Sequence, residues 1–335
     1  MKMSLSSSLF PRRATGAVLA CAAAVCAATA TAADTYPSRP IKIIVPFAAG
    51  GGSDVTARLI GRKLQEAYGQ AVVVENQPGA STQIATRNVI RSAPDGYTLL
   101  LATTSVVNNT HLYPKLDYDA MKELVPVVGI VDVPPFLAVG PGIKATNVKD
   151  FIAEIKAKAA TEKGVTFGSA GPGSTLHLAS EWLVKQLGIK AVHSPYKGSG
   201  PASVALAQGD IDFSFDNIPP LRPMVDAGKV RLLMVGARNR FPSTPALPTL
   251  KESGLPDEEL SSWFILMAPA QTPPAVVASI NSEVNKILKK PDVRSSLIDL
   301  GLAPMDTSVD DLKKRMSNDF NMWGGIIKDA KVTLE

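Results

Sequence analysis

Cysteine is nearly absent from this chain, and beyond residue 33 so are a large charge excess and any run apolar enough to span a bilayer. The two cysteines among the 335 residues, Cys21 and Cys26, both lie in residues 1–33. The rest of the chain therefore has no disulfide, thiolate metal site or cysteine nucleophile. Residues 1–33 carry three of the 35 basic and none of the 30 acidic residues, so the remainder has a formal charge of 32 − 30 = +2. This small charge argues against binding to nucleic acid or anionic membranes.

The first 33 residues have the pattern of a secretory signal peptide. A positively charged start precedes an apolar run of small residues over 14–28, and alanines and threonines continue to Ala33. We expect general secretory export, cleavage after Ala33 and a periplasmic mature protein. A lipid anchor at Cys21 fits less well, because more apolar leader follows it. Twin-arginine export through Arg12 and Arg13 also fits less well, because the residues after them depart from that pattern.

Three consecutive glycines at 50–52 join a predicted buried strand, 41–45, to a predicted helix that begins near Asp54. The helix is expected to bury one face that includes Val55 and Ile60. Glycine lets the loop turn its N–H groups inward, and a helix N-terminus adds about +0.5 of partial charge. The segment is therefore a candidate anion site, although it is neither a P-loop nor a G-x-G-x-x-G fingerprint. A tight turn without a ligand is the alternative.

Strand, glycine loop and helix recur with loops at 76–81, 168–173 and 196–201. This alternation predicts an α/β fold with parallel sheets and with helix N-termini at the carboxyl ends of the strands. An apolar stretch with three prolines, residues 125–139, interrupts the alternation and predicts a crossing into a second lobe. We therefore expect two lobes with a ligand cleft between them. The predicted divisions are residues 34–132 with 236–270 for the first lobe, 133–235 for the second, and C-terminal helices over 271–335 that the sequence assigns to neither.

The flanks of these loops carry a resemblance that covers essentially the whole chain after residue 33. The matching stretches are residues 36–40, 45–47, 51–54, 94–100, 171–178 and 195–202. Together they resemble the substrate-binding proteins of tripartite tricarboxylate transporters, the Bug receptor family. The resemblance implies a two-lobed type II periplasmic binding fold and a receptor that delivers a small carboxylate to a membrane permease. It further implies a monomer with no cofactor, no metal and no catalytic residue.

The resemblance also implies which residues hold the ligand. In the first lobe, loop amides and bridging waters are expected to hold one carboxylate. The corresponding positions here are Phe47, Ala48, Gly51 and Asp54, with Ser81, Thr82 and Thr104 nearby. The second-lobe positions are Ser169, Gly173, Ser174, Thr175, Tyr196 and Asp216. Residues 79–83 read Gly-Ala-Ser-Thr-Gln and lack a glycine that the family usually has, so Thr82 and Gln83 are expected to contact the ligand through side chains.

Several of these residues have alternative interpretations. Asp54 fits either an N-cap of the first helix or a water-mediated ligand contact. Ser174, His177 and Glu181 share one helix face, which is compatible with a hydrolase pair or a metal site. We favour a capping serine on a half-exposed helix, since neither G-x-S-x-G nor H-E-x-x-H is present.

Other polar and aromatic residues are less informative. Tyr196 opens the third loop and could contact a ligand or simply pack. His111 and His193 cannot be tied to a site. Trp263 and Trp323 are expected in the core.

Three functions fit the sequence: a transport receptor, which we favour, a ligand-sensing partner of a membrane histidine kinase, and an enzyme on the same fold. The sensor would share the cleft and differ only in its outer surface. The enzyme would need a nucleophile and a base in register. The ligand could be a dicarboxylate, a tricarboxylate, an acidic amino acid or an aromatic acid, because an amide-lined anion site accepts all four.

Overall fold

The computed structural model describes Met1 and residues 36–334. The chain divides into two units, residues 1–38 and residues 39–335. The predicted signal peptide and both cysteines lie outside the described residues, apart from Met1. Within the described part, no helix has the length and hydrophobicity needed to cross a membrane.

The unit from residue 39 onward alternates strands with helices over most of its length. Its strands are β1 (Ile41–Val45), β2 (Val72–Asn76), β3 (Thr98–Ala102), β4 (Leu124–Val133), β5 (Phe136–Val139), β6 (Thr166–Ser169), β7 (Val192–Pro195), β8 (Phe213–Asp216), β9 (Arg231–Val235), β10 (Ser262–Pro269) and β11 (Ala303–Pro304). Its α-helices are α1 (Gly52–Tyr68), α2 (Gln83–Ile90), α3 (Ser105–Leu112), α4 (Ala120–Glu123), α5 (Val148–Ala159), α6 (Thr175–Leu187), α7 (Ser199–Gln208), α8 (Ile218–Asp226), α9 (Pro274–Leu288), α10 (Pro291–Asp299) and α11 (Val309–Ala330). Short 3-10 turns lie at Ala80–Thr82 and Lys251–Ser253.

The strands form two sheets, one in each lobe. The first sheet has the order β11-β4-β10-β3-β1-β2 and the second has the order β7-β6-β8-β5-β9. Pairing is parallel among β1, β2 and β3 and among β6, β7 and β8. The prediction of parallel sheets is confirmed for these strands and is wrong for β5 and β10, which pair antiparallel with their neighbours. The reason is that the chain leaves the first sheet along β4 and returns to it along β10.

Each sheet has its own hydrophobic core. Trp263 and Leu100 are fully buried in the first core, and Phe167 and Phe213 in the second. Burying a side chain of this size contributes about 1.5–3 kcal/mol. Trp323 is also fully buried, so the prediction that both tryptophans belong to the core is confirmed.

Helix α1 begins two residues before the predicted position, and its buried face differs from the predicted one. Ala57, Ile60 and Leu64 are buried, but Val55 is 38% exposed. The predicted burial of Val55 is therefore wrong. The inward stripe runs from Ser53 through Ala57 at helical spacing, which turns Val55 toward solvent.

The C-terminal helices, which the sequence could not assign, pack in two ways. Helix α9 packs on β4 and α1 of the first lobe. Helix α11 packs on α3 of the first lobe and on α6 of the second, so it spans the two. Beside these contacts, Thr175 at the start of α6 lies next to Thr104 of the first lobe.

Candidate functional site

The first glycine loop, residues 46–52, leads into a helix that has no side-chain cap. Gly51 is the N-cap of α1, and no side chain of the described residues bonds the first-turn amides. The first backbone bond of the helix runs from Val55 N–H to Gly51 O at 3.0 Å. A Cβ on Gly50 or Gly52 would meet no atom within 4 Å, so the loop borders open space. The first turn of α1 thus presents amides that can bind an anion.

Asp54 anchors this loop from the protein side. Its carboxylate is 3% exposed and accepts hydrogen bonds from Gly50 N at 2.9 Å and from Asn76 Nδ2 at 3.0 Å. Asn76 Nδ2 also donates to Phe47 O at 3.0 Å. Because Gly51 holds the cap position, the interpretation of Asp54 as the N-cap is wrong.

The negative charge of Asp54 is balanced by Arg58. Arg58 Nε donates to Asp54 Oδ2 at 3.1 Å. The Arg58 hydrogen bond is the main cause that lowers the pKa of Asp54, and the bonds from Gly50 and Asn76 add to it while burial opposes it. The carboxylate is therefore ionised at neutral pH, yet it is paired and turned away from the open side of the loop.

The turn before α2 is strained. Ala80, Ser81 and Thr82 all have positive φ, at 43°, 50° and 76°, a region that non-glycine residues rarely adopt. Residues held in this region cost about 1–3 kcal/mol each. Asn109 Nδ2 donates to Ser81 O and Tyr113 OH donates to Ser81 Oγ, both at 2.7 Å.

Thr82 stands where the family resemblance led us to expect a glycine. It is buried, and its hydroxyl has no hydrogen-bond partner among the described residues. Gln83 is the first residue of α2 and is half-buried. The turn therefore keeps a glycine-like backbone while carrying a threonine side chain.

Thr104 and Thr175 connect the lobes directly. Thr104 follows β3 in the first lobe, and Thr175 begins α6 in the second. Their hydroxyl oxygens lie 2.7 Å apart, and Thr104 Oγ1 lies 3.0 Å from Ser262 Oγ at the start of β10. Two predicted site residues from different lobes are thus brought together beside the strand on which the chain returns.

The second glycine loop, residues 168–173, is closed by its own side chains. Ser174 caps α6, as predicted, by accepting from His177 N at 3.2 Å, and it donates to Gly171 O at 2.8 Å. Gly171 N donates to Ser169 Oγ at 3.2 Å, and Gly173 N donates to His177 Nδ1 at 3.1 Å. The expectation that this loop offers free amides is wrong for these N–H groups, because protein acceptors already bind them.

Gly173 is enclosed rather than open. Its φ of 73° favours glycine, and a Cβ there would lie 2.8 Å from both Leu112 Cδ1 and Leu334 Cδ1. It therefore packs against α3 of the first lobe and against the C-terminal segment.

Two histidines stack behind this loop. The His177 and His193 ring centroids are 3.8 Å apart at an interplanar angle of 17°. His193 Nε2 lies 2.7 Å from Ser169 Oγ, and His177 Nε2 lies 3.4 Å from Glu181 Oε1. Burial first, and then His177, lowers the pKa of His193 to about 4.

The hydrolase interpretation and the half-exposed helix both fail against this geometry. His177 is 4% exposed, and its imidazole bonds Gly173 N instead of the Ser174 hydroxyl. In the part of the chain that the structure describes, no group of three or more His, Cys, Asp and Glu side chains could hold a metal ion. His193 could not be tied to a site from sequence; the pairing of β7 beside β6 places it opposite Phe167.

The third glycine loop, residues 196–201, again leads into an uncapped helix. Gly198 is the N-cap of α7, and within the described part of the chain no side chain caps this helix. Tyr196 is half-buried and packs against the small core that contains Leu206. Lys197 is exposed.

Asp216 ends β8 and is fully buried. Its Oδ1 accepts from Asn217 N at 2.8 Å, whereas its Oδ2 has no partner among the described residues. Burial raises the pKa of Asp216 to about 7, against the opposing effects of Ser199 and the Asn217 amide. A neutral carboxyl group at this position can donate a hydrogen bond to an anion.

Comparison with known proteins identifies the family. Residues 56–332 match the family described as the tripartite tricarboxylate transporter family receptor. The chain belongs to this receptor family. Protein BugT of Bordetella pertussis is 35% identical over 310 residues, which cover 92% of this chain and 94% of BugT. The family resemblance noted from the loop motifs is therefore confirmed.

Solved structures of family members share the fold. Rpa4515 of R. palustris, determined with adipate, has a TM-score of 0.78 and 33% identity, covering 89% of this chain and 99% of its own. MatC of Rhodopseudomonas palustris, determined with bound malate, has a TM-score of 0.73 and 30% identity, covering 87% of this chain and 100% of its own. These similarities confirm the predicted two-lobed α/β periplasmic binding fold for this receptor.

Proposed function

We propose that this receptor captures a small carboxylate outside the cytoplasm and delivers it to the membrane permease of a tripartite transporter. The observation that carries the proposal is the uncapped start of α1, whose first-turn amides border open space. Two relatives of the same fold were determined with dicarboxylates, adipate and malate. Dicarboxylates are therefore the first ligands to test.

In this proposal the first lobe holds one carboxylate through main-chain groups. Phe47, Ala48 and Gly51 supply the loop, and a helix N-terminus favours an anion by about 0.3–2 kcal/mol. Asp54 shapes the loop through Gly50 and Asn76 and repels the ligand little, because Arg58 neutralises it. Thr82 adds a hydroxyl group that has no partner within the described residues.

The second lobe reads the remainder of the ligand in this proposal. Thr175 supplies a hydroxyl, Tyr196 its phenol, and Asp216 a carboxyl group whose Oδ2 has no partner among the described residues. Ser169, Gly173 and Ser174 act as support, because their polar groups already bond within the loop. Binding that engages both sets would favour the state in which the lobes are closed.

Thermal unfolding followed by calorimetric titration tests the capture step. The panel contains adipate, malate, citrate, glutamate and benzoate. A ligand at 100 times its Kd should raise the free energy of unfolding by about 2.7 kcal/mol. A micromolar Kd corresponds to about −8 kcal/mol. A folded protein whose melting temperature no member of the panel moves would contradict the proposal.

Delivery, export and assembly need separate measurements. We infer that residues 1–33 direct export to the periplasm, which N-terminal sequencing of the mature protein would show as a start at Asp34. We also infer a monomer, which sedimentation tests. A strain lacking this gene should lose uptake of the ligand. Normal uptake with lost induction of ligand-responsive genes would instead favour the histidine kinase partner.

A further inference from the structure

The second glycine loop is held by Ser169, whose hydroxyl contacts His193, and by His177 directly. Gly171 N donates to Ser169 Oγ, and Ser169 Oγ lies 2.7 Å from His193 Nε2. Gly173 N donates to His177 Nδ1. Because the two imidazole rings stack at 3.8 Å, both arms of the loop rest on one aromatic pair.

The hydrogen bonds assign the proton on each ring. His177 Nδ1 accepts the Gly173 N–H, so the neutral His177 ring carries its proton on Nε2, which faces Glu181 Oε1 at 3.4 Å. Ser169 has one proton and two nearby acceptors, His193 Nε2 at 2.7 Å and Gly171 O at 3.2 Å. The shorter distance favours donation to His193, which then carries its own proton on Nδ1. The stacked rings are thus opposite tautomers.

His193 adds no positive charge to the loop. His193 faces the ring of Phe167 on one strand and the groups of His177 and Glu181 on α6. Burial and the neighbouring imidazole keep the pKa of His193 near 4 while Glu181 opposes them, so the ring is neutral in the physiological range. His193 therefore acts through hydrogen bonding and shape, not by attracting an anion.

In this arrangement the Ser169 hydroxyl makes its hydrogen bonds within the protein. The hydroxyl donates its hydrogen bond to His193 Nε2, and one of its lone pairs accepts the Gly171 N–H. No proton remains for a ligand carboxylate. Holding Gly171 and Gly173 instead determines where α6 begins, and α6 begins with Thr175, which contacts Thr104 of the first lobe.

We propose that His193 is a positioning residue for ligand binding: through Ser169 it holds the second glycine loop and so places Thr175 against the first lobe. This inference rests on the proposed function, since the effect of the position of Thr175 is measured as ligand affinity. In this proposal Ser169 supports the loop, and Thr175 contacts the ligand.

The first experiment is a double-mutant cycle with adipate as the probe. His193→Phe keeps a stacked ring and loses Nε2, so we expect Kd to rise about tenfold. Ser169→Ala should weaken binding by a similar factor, and the double variant should be no weaker than Ser169→Ala alone. His193→Gln, which keeps a polar group for Ser169, should recover most of the affinity. Ser253→Ala, whose hydroxyl bonds Thr249 O in a turn outside the site, is the control for loss of a serine.

The second experiment needs no ligand. Nitrogen-15 NMR of the free protein should show His193 as the Nδ1–H tautomer and His177 as the Nε2–H tautomer at neutral pH. Ser169→Ala should shift His193 toward the other tautomer. His193→Phe should speed hydrogen exchange at Gly171 N by about tenfold, because Ser169 is released to turn its proton to Gly171 O.

These readouts separate the two ideas. If the wild-type protein binds no carboxylate while the tautomers and exchange rates are as expected, the proposed function fails and the support of the loop by His193 stands. If His193→Phe binds adipate as tightly as the wild type, or Gly171 exchanges at the wild-type rate, the positioning role is overturned. Additive losses in the double-mutant cycle would overturn it too.

Discussion

The first and second glycine loops begin with the same sequence pattern and end in opposite states. The first leads into α1, whose amides have no side-chain cap and border open space. The second leads into α6, where amides of the loop and of the first helical turn already donate hydrogen bonds to side chains. The acceptors are Ser169, His177 and Ser174. Strand, glycines and helix thus build either an anion site or a rigid support, depending on which side chains bond the amides. We expect the charge of the ligand to be held in the first lobe.

The largest expected effect comes from removing the anchor of the first loop. Asp54→Ala deletes the acceptor for Gly50 and Asn76 and removes the ion-pair partner of Arg58, so the loop loses its shape. Hydrogen bonds to charged groups are worth about 1.5–3 kcal/mol, which corresponds to a 10- to 100-fold rise in Kd. Calorimetric titration of the folded variant measures this. Equal affinity for variant and wild type would mean that the open amides do not hold the ligand.

A smaller effect is expected from filling the space in front of α1. Gly52→Ala adds a methyl group where no atom lies within 4 Å, so the fold should tolerate it. Binding should weaken about tenfold, while helix propensity leaves the melting temperature unchanged or raises it by a few degrees. Gly325→Ala, also open in α11, is the matched control and should change stability without changing Kd. If both variants bind normally, the open side of the first loop is not the ligand side.

The contact between the lobes should contribute about 1 kcal/mol to the free energy of unfolding. Thr104→Val and Thr175→Val each remove one hydroxyl of a 2.7 Å pair. A cycle of the two replacements, followed by chemical unfolding, should give a coupling energy of about 1 kcal/mol. A coupling energy near zero would show that the hydrogen bond between Thr104 and Thr175 does not stabilise the contact between the lobes.

The smallest effect on affinity is expected at Asp216, where pH is the variable. Its pKa is raised from 3.8 to about 7 by burial, so the folded state favours the neutral form. The contribution of the neutral Asp216 to the free energy of unfolding is complete below pH 3.8 and is lost as pH rises toward 7. Over this range the free energy of unfolding falls by at most about 1.4 kcal/mol per pH unit.

Asp216→Asn should remove this slope and bind the ligand about as well as the wild type at pH 6. Unfolding free energies measured at several pH values test it. Because burial also raises the pKa of Asp132 to about 7, Asp132→Asn serves as the comparison. An unchanged slope in Asp216→Asn alone would assign the pH dependence to other groups.

Local features of this receptor could be predicted from sequence because their partners lie within a few residues. The Ser174 cap is one, since its acceptor reaches His177 N three residues away. The positions of the glycine loops are another, since strand, turn and helix preferences are local. Family membership followed from several such motifs together. Several predictions that were wrong, among them Val55 burial, parallel pairing at β5 and β10 and the half-exposed α6, depended on where neighbouring elements pack.

Sequence alone therefore determined the two-lobed α/β fold, the glycine loops and the family of this receptor, because hydrophobic spacing and turn chemistry are written along the chain. Only the tertiary structure decided which helix starts are open and which are closed. Asn76 reaches Asp54 across 22 positions, and His193 reaches Ser169 across 24. Hydrogen bonds over such separations depend on strand register and packing, and these decide whether a loop amide is free to bind a ligand or already bound by the protein.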